Sequence, residues 1–278
     1  MKHSNILGFE TGTAAVQKYA KLASFDPDGL DLEIEVSGTG HAFSEFNKMR
    51  LYVTLKNSLG DDINIVSAVV GDLFKLSDYA GGFSAKLHND AEGKYYAYIP
   101  LGNIMLEGED SLEVSFSYSG HATAVYTVRL DAIDIVQGDE YIIGYDSLTG
   151  NGDSRYFRDA AAVYITSASK GDMFKCQDQM KGSNTVLDHV AIALANELGQ
   201  LEQREDFGLV WQDGSGLSQN INVTIPQGAD VLVVKRYFPV ERIEKKSNQA
   251  AVEHRQLVEK IRMESPEKFH YLRVSGEI

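Results

Sequence analysis

Leu30-Asp31-Leu32-Glu33-Ile34-Glu35-Val36-Ser37 alternates apolar and polar residues without a break. A period of two puts Leu30, Leu32, Ile34 and Val36 on one face of a pleated strand and the carboxylates on the other, so the segment reads as a β-strand with one face dry and one wet. The same pattern recurs at Met49-Leu51-Val53-Leu55, at Leu112-Val114-Phe116-Tyr118 and at Tyr126-Val128-Leu130. Turn-forming clusters punctuate these runs at 57–62, Gly81-Gly82, 89–93, 107–110 and Ser119-Gly120. Half-buried antiparallel strands at that spacing predict an all-β sandwich or jelly roll.

Outward from this stretch, the second half of the chain replays fragments of the first in the same order. Tyr52-Val53-Thr54 returns as Tyr164-Ile165-Thr166, Gly71-Asp72-Leu73-Phe74-Lys75 as Gly171-Asp172-Met173-Phe174-Lys175, and Ile99-Pro100-Leu101-Gly102 as Ile225-Pro226-Gln227-Gly228. Each Ile-Pro-x-Gly is followed by an apolar run ending in tyrosine, Leu112 to Tyr118 and Val231 to Tyr237. The shared order predicts two tandem jelly-roll β-barrels with a few short added helices. We place an N-terminal arm and first barrel at 1–137, a second barrel with a helical insertion at 138–246, and a C-terminal helix and tail at 247–278, with the boundary in Gln137-Gly138-Asp139-Glu140.

Three helices are expected. Residues 13–24 suit a short amphipathic one closed by Asp26-Pro27-Asp28-Gly29. Thr185-Val186-Leu187-Asp188 resembles a capping box opening a helix to Leu201, with Leu187, Val190, Leu194, Leu198 and Leu201 as its buried stripe. A third runs from about Ser247 to Met263. Segments 1–27 and 247–278 fit neither barrel and are read as arms.

The 278 residues carry 40 Asp and Glu against 26 Lys and Arg, a formal charge of −14, which argues against wrapping nucleic acid. The balance is uneven: from Lys235 to Ile278 there are ten Lys or Arg and seven Asp or Glu, net +3. That excess reads either as a solvated helix face or as a segment apposed to an acidic neighbour, such as a sister subunit or an anionic bilayer. A single cysteine excludes an intrachain disulfide framework, the start lacks a secretory core, and no apolar run approaches the roughly 20 residues of a membrane-spanning helix. A soluble chain folding in reducing cytoplasm is the expectation.

Catalytic patterns are missing. The histidines at 3, 41, 88, 121, 189, 254 and 270 are scattered, unlike the close-set metal ligands of a cupin. Gly214-Ser215-Gly216-Leu217-Ser218 lacks the nucleophile-elbow spacing, Cys176 reads as packing, and neither a dinucleotide fingerprint nor a phosphate loop is present. Acidic turns are the one chemical signal: Asp61 and Asp62, Glu107, Glu109 and Asp110, and Asp134, Asp139 and Glu140 offer hard oxygen ligands of the kind calcium takes. No EF-hand spacing accompanies them, so solubilising charge is the plainer reading. Tyr95, Tyr96 and Tyr98 share one strand and are read as core lining, with a carbohydrate platform or a subunit contact as alternatives.

Two consecutive β-barrels, a helix added to the second, an acidic body and no catalytic set together resemble the corticovirus-like major capsid proteins of tailless, membrane-containing icosahedral bacteriophages. The resemblance is architectural, covers about residues 28–243 and rests on no signature motif. It implies a non-enzymatic virion protein assembled in the host cytoplasm, a homotrimer with pseudo-hexagonal outline, and contacts with neighbouring trimers and with penton, spike and membrane proteins. It also implies calcium as a lattice stabiliser and contact of the basic C-terminal segment with an internal membrane. The alternatives are a tandem β-sandwich binding module of a phage tail or carbohydrate-binding kind and, third, a bicupin-like enzyme.

Overall fold

The computed structural model describes residues 2–12, 14–22, 26–56, 62–80, 93–102, 104, 106, 109–121, 123–134, 141–168, 172–178, 184–188, 208–212 and 219–237. They form fifteen strands and one α-helix. In the first half these are β1 Lys2–Glu10, β2 Val16–Leu22, β3 Gly29–Gly38, β4 Met49–Lys56, β5 Ile63–Val69, α1 Val70–Ala80, β6 Lys94–Pro100, β7 Ser111–Tyr118 and β8 Ala124–Asp134, with a 3-10 segment Phe43–Lys48 before β4. In the second half they are β9 Ile142–Thr149, β10 Ser154–Ser167, β11 Met173–Asp178, β12 Asn184–Asp188, β13 Gly208–Gln212, β14 Gln219–Thr224 and β15 Asp230–Tyr237. All the described residues belong to one unit, Met1–Tyr237.

Eight strands of the first half fall into two groups of four, in the orders β1-β8-β3-β6 and β2-β7-β4-β5. Neighbours in each group are antiparallel, and the order is that of an eight-stranded jelly roll. The alternating residues meet between the two sheets: Leu30, Leu32 and Ile34 from one, and Leu51, Val53, Val114 and Phe116 from the other, are fully buried in a single core. On the outer face of the first sheet the register aligns Tyr98, Asp31, Asp131 and Asn5 in one row, Tyr96, Glu33, Arg129 and Gly8 in the next, and Lys94, Glu35, Thr127 and Glu10 in a third. Tyr95 lines the core as expected. Tyr96 and Tyr98 do not: they stand half-buried on the outer face, because side chains two apart on a strand share a side and Tyr95 takes the inner one.

The second half has its own core, built from Phe157, Val163, Ile165, Phe174, Cys176, Val210, Ile221, Val223, Val231 and Val233. Its strands extend the second sheet of the first half in the order β12-β11-β14-β10-β15-β9-β5, with β13 also on β10. β10 carries two partners in succession, β14 along its start and β15 along its end, with a register break between Phe157 and Ala160. Asp159 sits there at φ 59°, a left-handed conformation that Asp tolerates better than most residues, and this bulge bends the strand. Residues paired on both parts of β10 line one core, and β11 comes into contact with β13 although they are not hydrogen-bonded neighbours. The sheet therefore curls around its contents.

β15 explains why its sequence is an unbroken apolar run. Val231 and Val233 face the second core while Leu232 is buried in the first and Val234 packs against it. A strand covered on both sides has no wet face to alternate with.

Several expectations fail. Residues 16–22, expected as helix, are β2, hydrogen-bonded to β7 from Val16↔Tyr118 to Leu22↔Leu112. Val16, Ala20 and Leu22 suit either period, and a waiting strand edge outweighs the modest helix preference of Ala and Lys. The expected arm at 1–27 is instead β1 and β2, both integral to the first barrel. Thr185–Asp188, expected to open a helix, belongs to β12, whose ladder with β11 takes the backbone groups that a helix would have used; 189–201, the helix expected at 247–263 and the boundary at 137–140 lie outside the described residues. The echoed Gly-Asp-x-Phe-Lys stretch is not one structure twice. Asp72–Lys75 lie in α1, whereas Met173–Lys175 lie in β11 with Phe174 turned into the core.

The other two echoes are structural. β4 and β10, which carry the Tyr-x-Thr fragments, each pair antiparallel with the strand after an Ile-Pro-x-Gly turn, β7 and β15. Gly102 and Gly228 in those turns take φ 71° and 81°, a region open to glycine at no steric cost.

Candidate functional site at the seam between the halves

β5 runs directly into α1, and this junction meets the second half. Val66 and Ser67 pair in parallel with Tyr145 and Asp146 of β9. One step later the Val69 N–H donates to the Ser147 hydroxyl at 3.0 Å. The first two turns of α1 then present Asp72 and Lys75, three apart and so on one helix face. Both are buried, at 5% and 7% exposure. The Lys75 ammonium donates to the Thr166 carbonyl of β10. Burial pushes the Asp72 carboxyl above the usual carboxylate range, while the Ser147 and Thr166 hydroxyls and the Lys75 charge oppose that rise and Asp230 adds to it. A cavity of about 110 Å³ lies alongside, lined by Arg50, Asp72, Ser147 and Asp230 among others.

A second contact reinforces this one. The Ile143 N–H donates to the Leu101 carbonyl at 2.9 Å, and the Tyr145 hydroxyl donates to the Pro100 carbonyl at 2.8 Å. At Gly102 a Cβ would fall 2.2 Å from the Tyr141 carbonyl oxygen, so the two backbones pass too closely for any side chain. Lys235 and Asp146 form a half-buried ion pair just beyond. Ile142, Tyr145 and Leu232 complete the seam by entering the first core.

The seam fixes two barrels as one block. Its charged groups engage each other and the Ser147 hydroxyl. Cys176 is buried and its thiol is pushed up to about 12 by burial, so it stays protonated and packs. His121 Nδ1 accepts from the Thr123 and Ala124 N–H groups at 3.1 and 2.8 Å, and His41 lies between the hydroxyls of Tyr126 and Tyr95 at 3.2 and 3.1 Å. Both histidines are spent on structure.

The expected acidic ligands are dispersed among the described residues. Asp62 is exposed and paired with Lys56. Glu109 is exposed, Asp110 is buried just before β7, and Asp134 closes β8 half-buried. Pairing of Lys56 with Ser111 and of Leu55 with Ile63 puts Asp62 and Asp110 at the same end of the second sheet. Among the described residues no three His, Cys, Asp or Glu converge on a point where an ion could sit; Asp61, Glu107, Asp139 and Glu140 lie outside them. Sequence reasoning missed Asp72 and Lys75 as seam residues. Their motif was visible as an echo, but nothing in it says that both side chains are buried.

The pH dependence of stability follows from Asp72. Because its pKa is raised in the fold, the native state keeps a proton that the unfolded chain gives up. This carboxyl's contribution is therefore greatest at low pH, falls as the pH rises from the ordinary carboxylate value through the raised one, and is constant above it. In Asp72→Asn that component of the slope disappears. Denaturant midpoints measured across the acid range for both proteins check this, and superimposable slopes would refute it.

No protein-family profile matches the sequence, and no curated protein matches it closely enough to be a relative. Among solved structures, the major capsid protein of Sulfolobus turreted icosahedral virus superposes with a TM-score of 0.51 at 8% identity, over 85% of this chain and 96% of that one. The chain is a double jelly roll. A second structure of that virus gives 0.48 at 8% identity over 86% and 89% of the two chains, and peptide:N-glycanase F gives 0.35 at 8% over 85% and 94%; neither decides anything. In this double jelly roll the seam does what a linker could not. A parallel strand pair and a buried charged contact join the two barrels through a continuous sheet.

Proposed function

We propose that this chain is a major capsid protein of an icosahedral virus. The observation that carries the reading is a two-barrel block, joined through one sheet and a buried polar seam, that superposes on a viral capsid protein along 85% of its length. A closed barrel hides its strand edges, so such blocks pack at high concentration without edge-to-edge aggregation. Residues 1–137 and 138–246 are the two barrels and 247–278 is an extension. Three chains form a homotrimer with a pseudo-hexagonal outline, which tiles with neighbouring trimers and meets penton, spike and membrane proteins.

The virus in this reading is a membrane-containing bacteriophage assembled in host cytoplasm. The basic C-terminal segment, net +3, contacts its internal membrane. Calcium bound at acidic turns stabilises the lattice, with Asp62, Glu109, Asp110 and Asp134 and their neighbours Asp61, Glu107, Asp139 and Glu140 as donors.

Light scattering behind a sizing column, with calcium and then with chelator, tests the reading. The expected result is a trimer that associates further when calcium is added. A monomer indifferent to calcium would instead favour a tandem binding module.

A further inference from the structure

The cavity beside the seam lies across four neighbouring strands, β15, β9, β5 and β4, next to the start of α1. Asp230 opens β15, Ser147 and Thr149 lie at the end of β9, Arg50 stands at the start of β4, and Asn47 precedes that strand. One water needs only about 10–15 Å³ of such space. A volume of about 110 Å³ therefore has room for several waters or for one small ring bearing hydroxyls.

The polar groups around it are unequally occupied. The Thr149 hydroxyl donates to Asp230 Oδ1 at 2.6 Å, the Ser147 hydroxyl accepts from the Val69 N–H at 3.0 Å, and Asp72 faces that hydroxyl and the Lys75 charge. Arg50 is half-buried, and among the described residues its guanidinium has no hydrogen bond and no ion pair. The Asn47 carboxamide and Asp230 Oδ2 are likewise unspent among the described residues. A half-desolvated guanidinium without an acceptor costs free energy that a ligand can return.

We propose that this cavity binds a neutral sugar ring. Charge selects a neutral ligand, because Arg50 stands against Asp230 and Lys75 against Asp72. The unspent groups then select its chemistry. Arg50 and Asn47 present N–H donors from planar groups, whereas Asp230 Oδ2 is a single open acceptor. Donors in excess call for oxygen acceptors, and neighbouring hydroxyls on one ring meet the guanidinium fork in pairs. Another hydroxyl of the same ring donates to Asp230. An α-amino acid is also neutral overall but fits worse, since its ammonium carries three donors and finds one open carboxylate oxygen. Tyr52 lies two residues along β4 from Arg50 on the same outer face, half-buried, with Ser115 and Ser67 as its register partners. Its ring offers a flat surface to the apolar side of a further sugar. The site lies within one chain and does not depend on the assembly reading.

The test titrates the isotope-labelled full chain with the methyl glycosides of glucose, galactose, mannose and N-acetylglucosamine, and with glycine and acetate as controls, followed by amide chemical shifts. At least one glycoside is expected to bind with a dissociation constant in the millimolar range or tighter, moving the signals of Ser147, Thr149 and Asp230. Arg50→Met breaks no hydrogen bond or ion pair among the described residues, and is expected to weaken that binding about tenfold or more at an unchanged thermal midpoint. Asp230→Asn keeps an acceptor for Thr149 but turns the open oxygen into a donor, and is expected to weaken binding likewise. The same signals moved by glycine or acetate, and by no glycoside, would overturn the ligand class. No shift at the cavity with any of these compounds, or a glycoside affinity unaltered in Arg50→Met, would overturn the site.

Discussion

Phe46→Ala is expected to lower the unfolding free energy by about 3–5 kcal/mol, the usual cost of truncating a fully buried phenylalanine. Phe46 comes from the 3-10 segment Phe43–Lys48 and has no exposed surface. Its ring lies 4.6 Å from that of Tyr95, 4.9 Å from Phe74, 5.0 Å from His41 and 5.4 Å from Phe43. These partners come from β6, α1, the loop before β4 and the segment itself, so none can follow the ring inward without abandoning another contact. Tyr95 and Tyr126 are further held by hydrogen bonds to His41, which prevents collapse of the cavity. Phe74 precedes Lys75 on α1, so the loss also loosens the helix that enters the seam. Guanidinium denaturation of the purified chain measures the effect, and a change under about 1 kcal/mol would mean that the cluster is not the anchor described.

Lys75→Met is expected to cost a similar amount, about 3–5 kcal/mol, for an electrostatic reason. The substitution keeps the length and apolar stem of the side chain, so packing changes little. It removes the charge that opposes the desolvation of Asp72 and the donor that reaches the Thr166 carbonyl. Asp72 would remain buried without that cation and would respond by taking up a proton, steepening the loss of stability toward neutral pH. Adding Asp72→Asn to Lys75→Met is expected to recover most of the loss, because a neutral amide needs no countercharge. If the single substitution proved harmless, or the double no better than the single, the pair would not be the electrostatic latch of the seam.

The strands that alternate cleanly were legible because periodicity is a local property: Leu30–Ser37, Met49–Leu55 and Leu112–Tyr118 are strands with those residues inward. The errors have one cause. Residues 16–22 and 185–188 are short, their apolar positions satisfy more than one period, and a neighbouring strand edge decided their state. Gly-Asp-x-Phe-Lys makes the point most sharply, since Asp72–Lys75 lie in a helix in one half while the echoing Met173–Lys175 lie in a strand in the other. In the first, Asp72 and Lys75 find buried partners on β9 and β10; in the second, Phe174 finds a core and Lys175 water.

The sequence by itself determined that the chain is all-β, built twice over, acidic and without a recognisable catalytic set, because alternation, composition and turn chemistry are written residue by residue. Only the tertiary structure decided that β5 and β9 join the halves in parallel, that Asp72 and Lys75 are buried where they meet, and that Asp31, Glu33 and Glu35 share an outer face with Asp131 and Glu10. Each of those depends on which distant segments share a face, and a pairing free energy between residues a hundred positions apart leaves no local pattern to read.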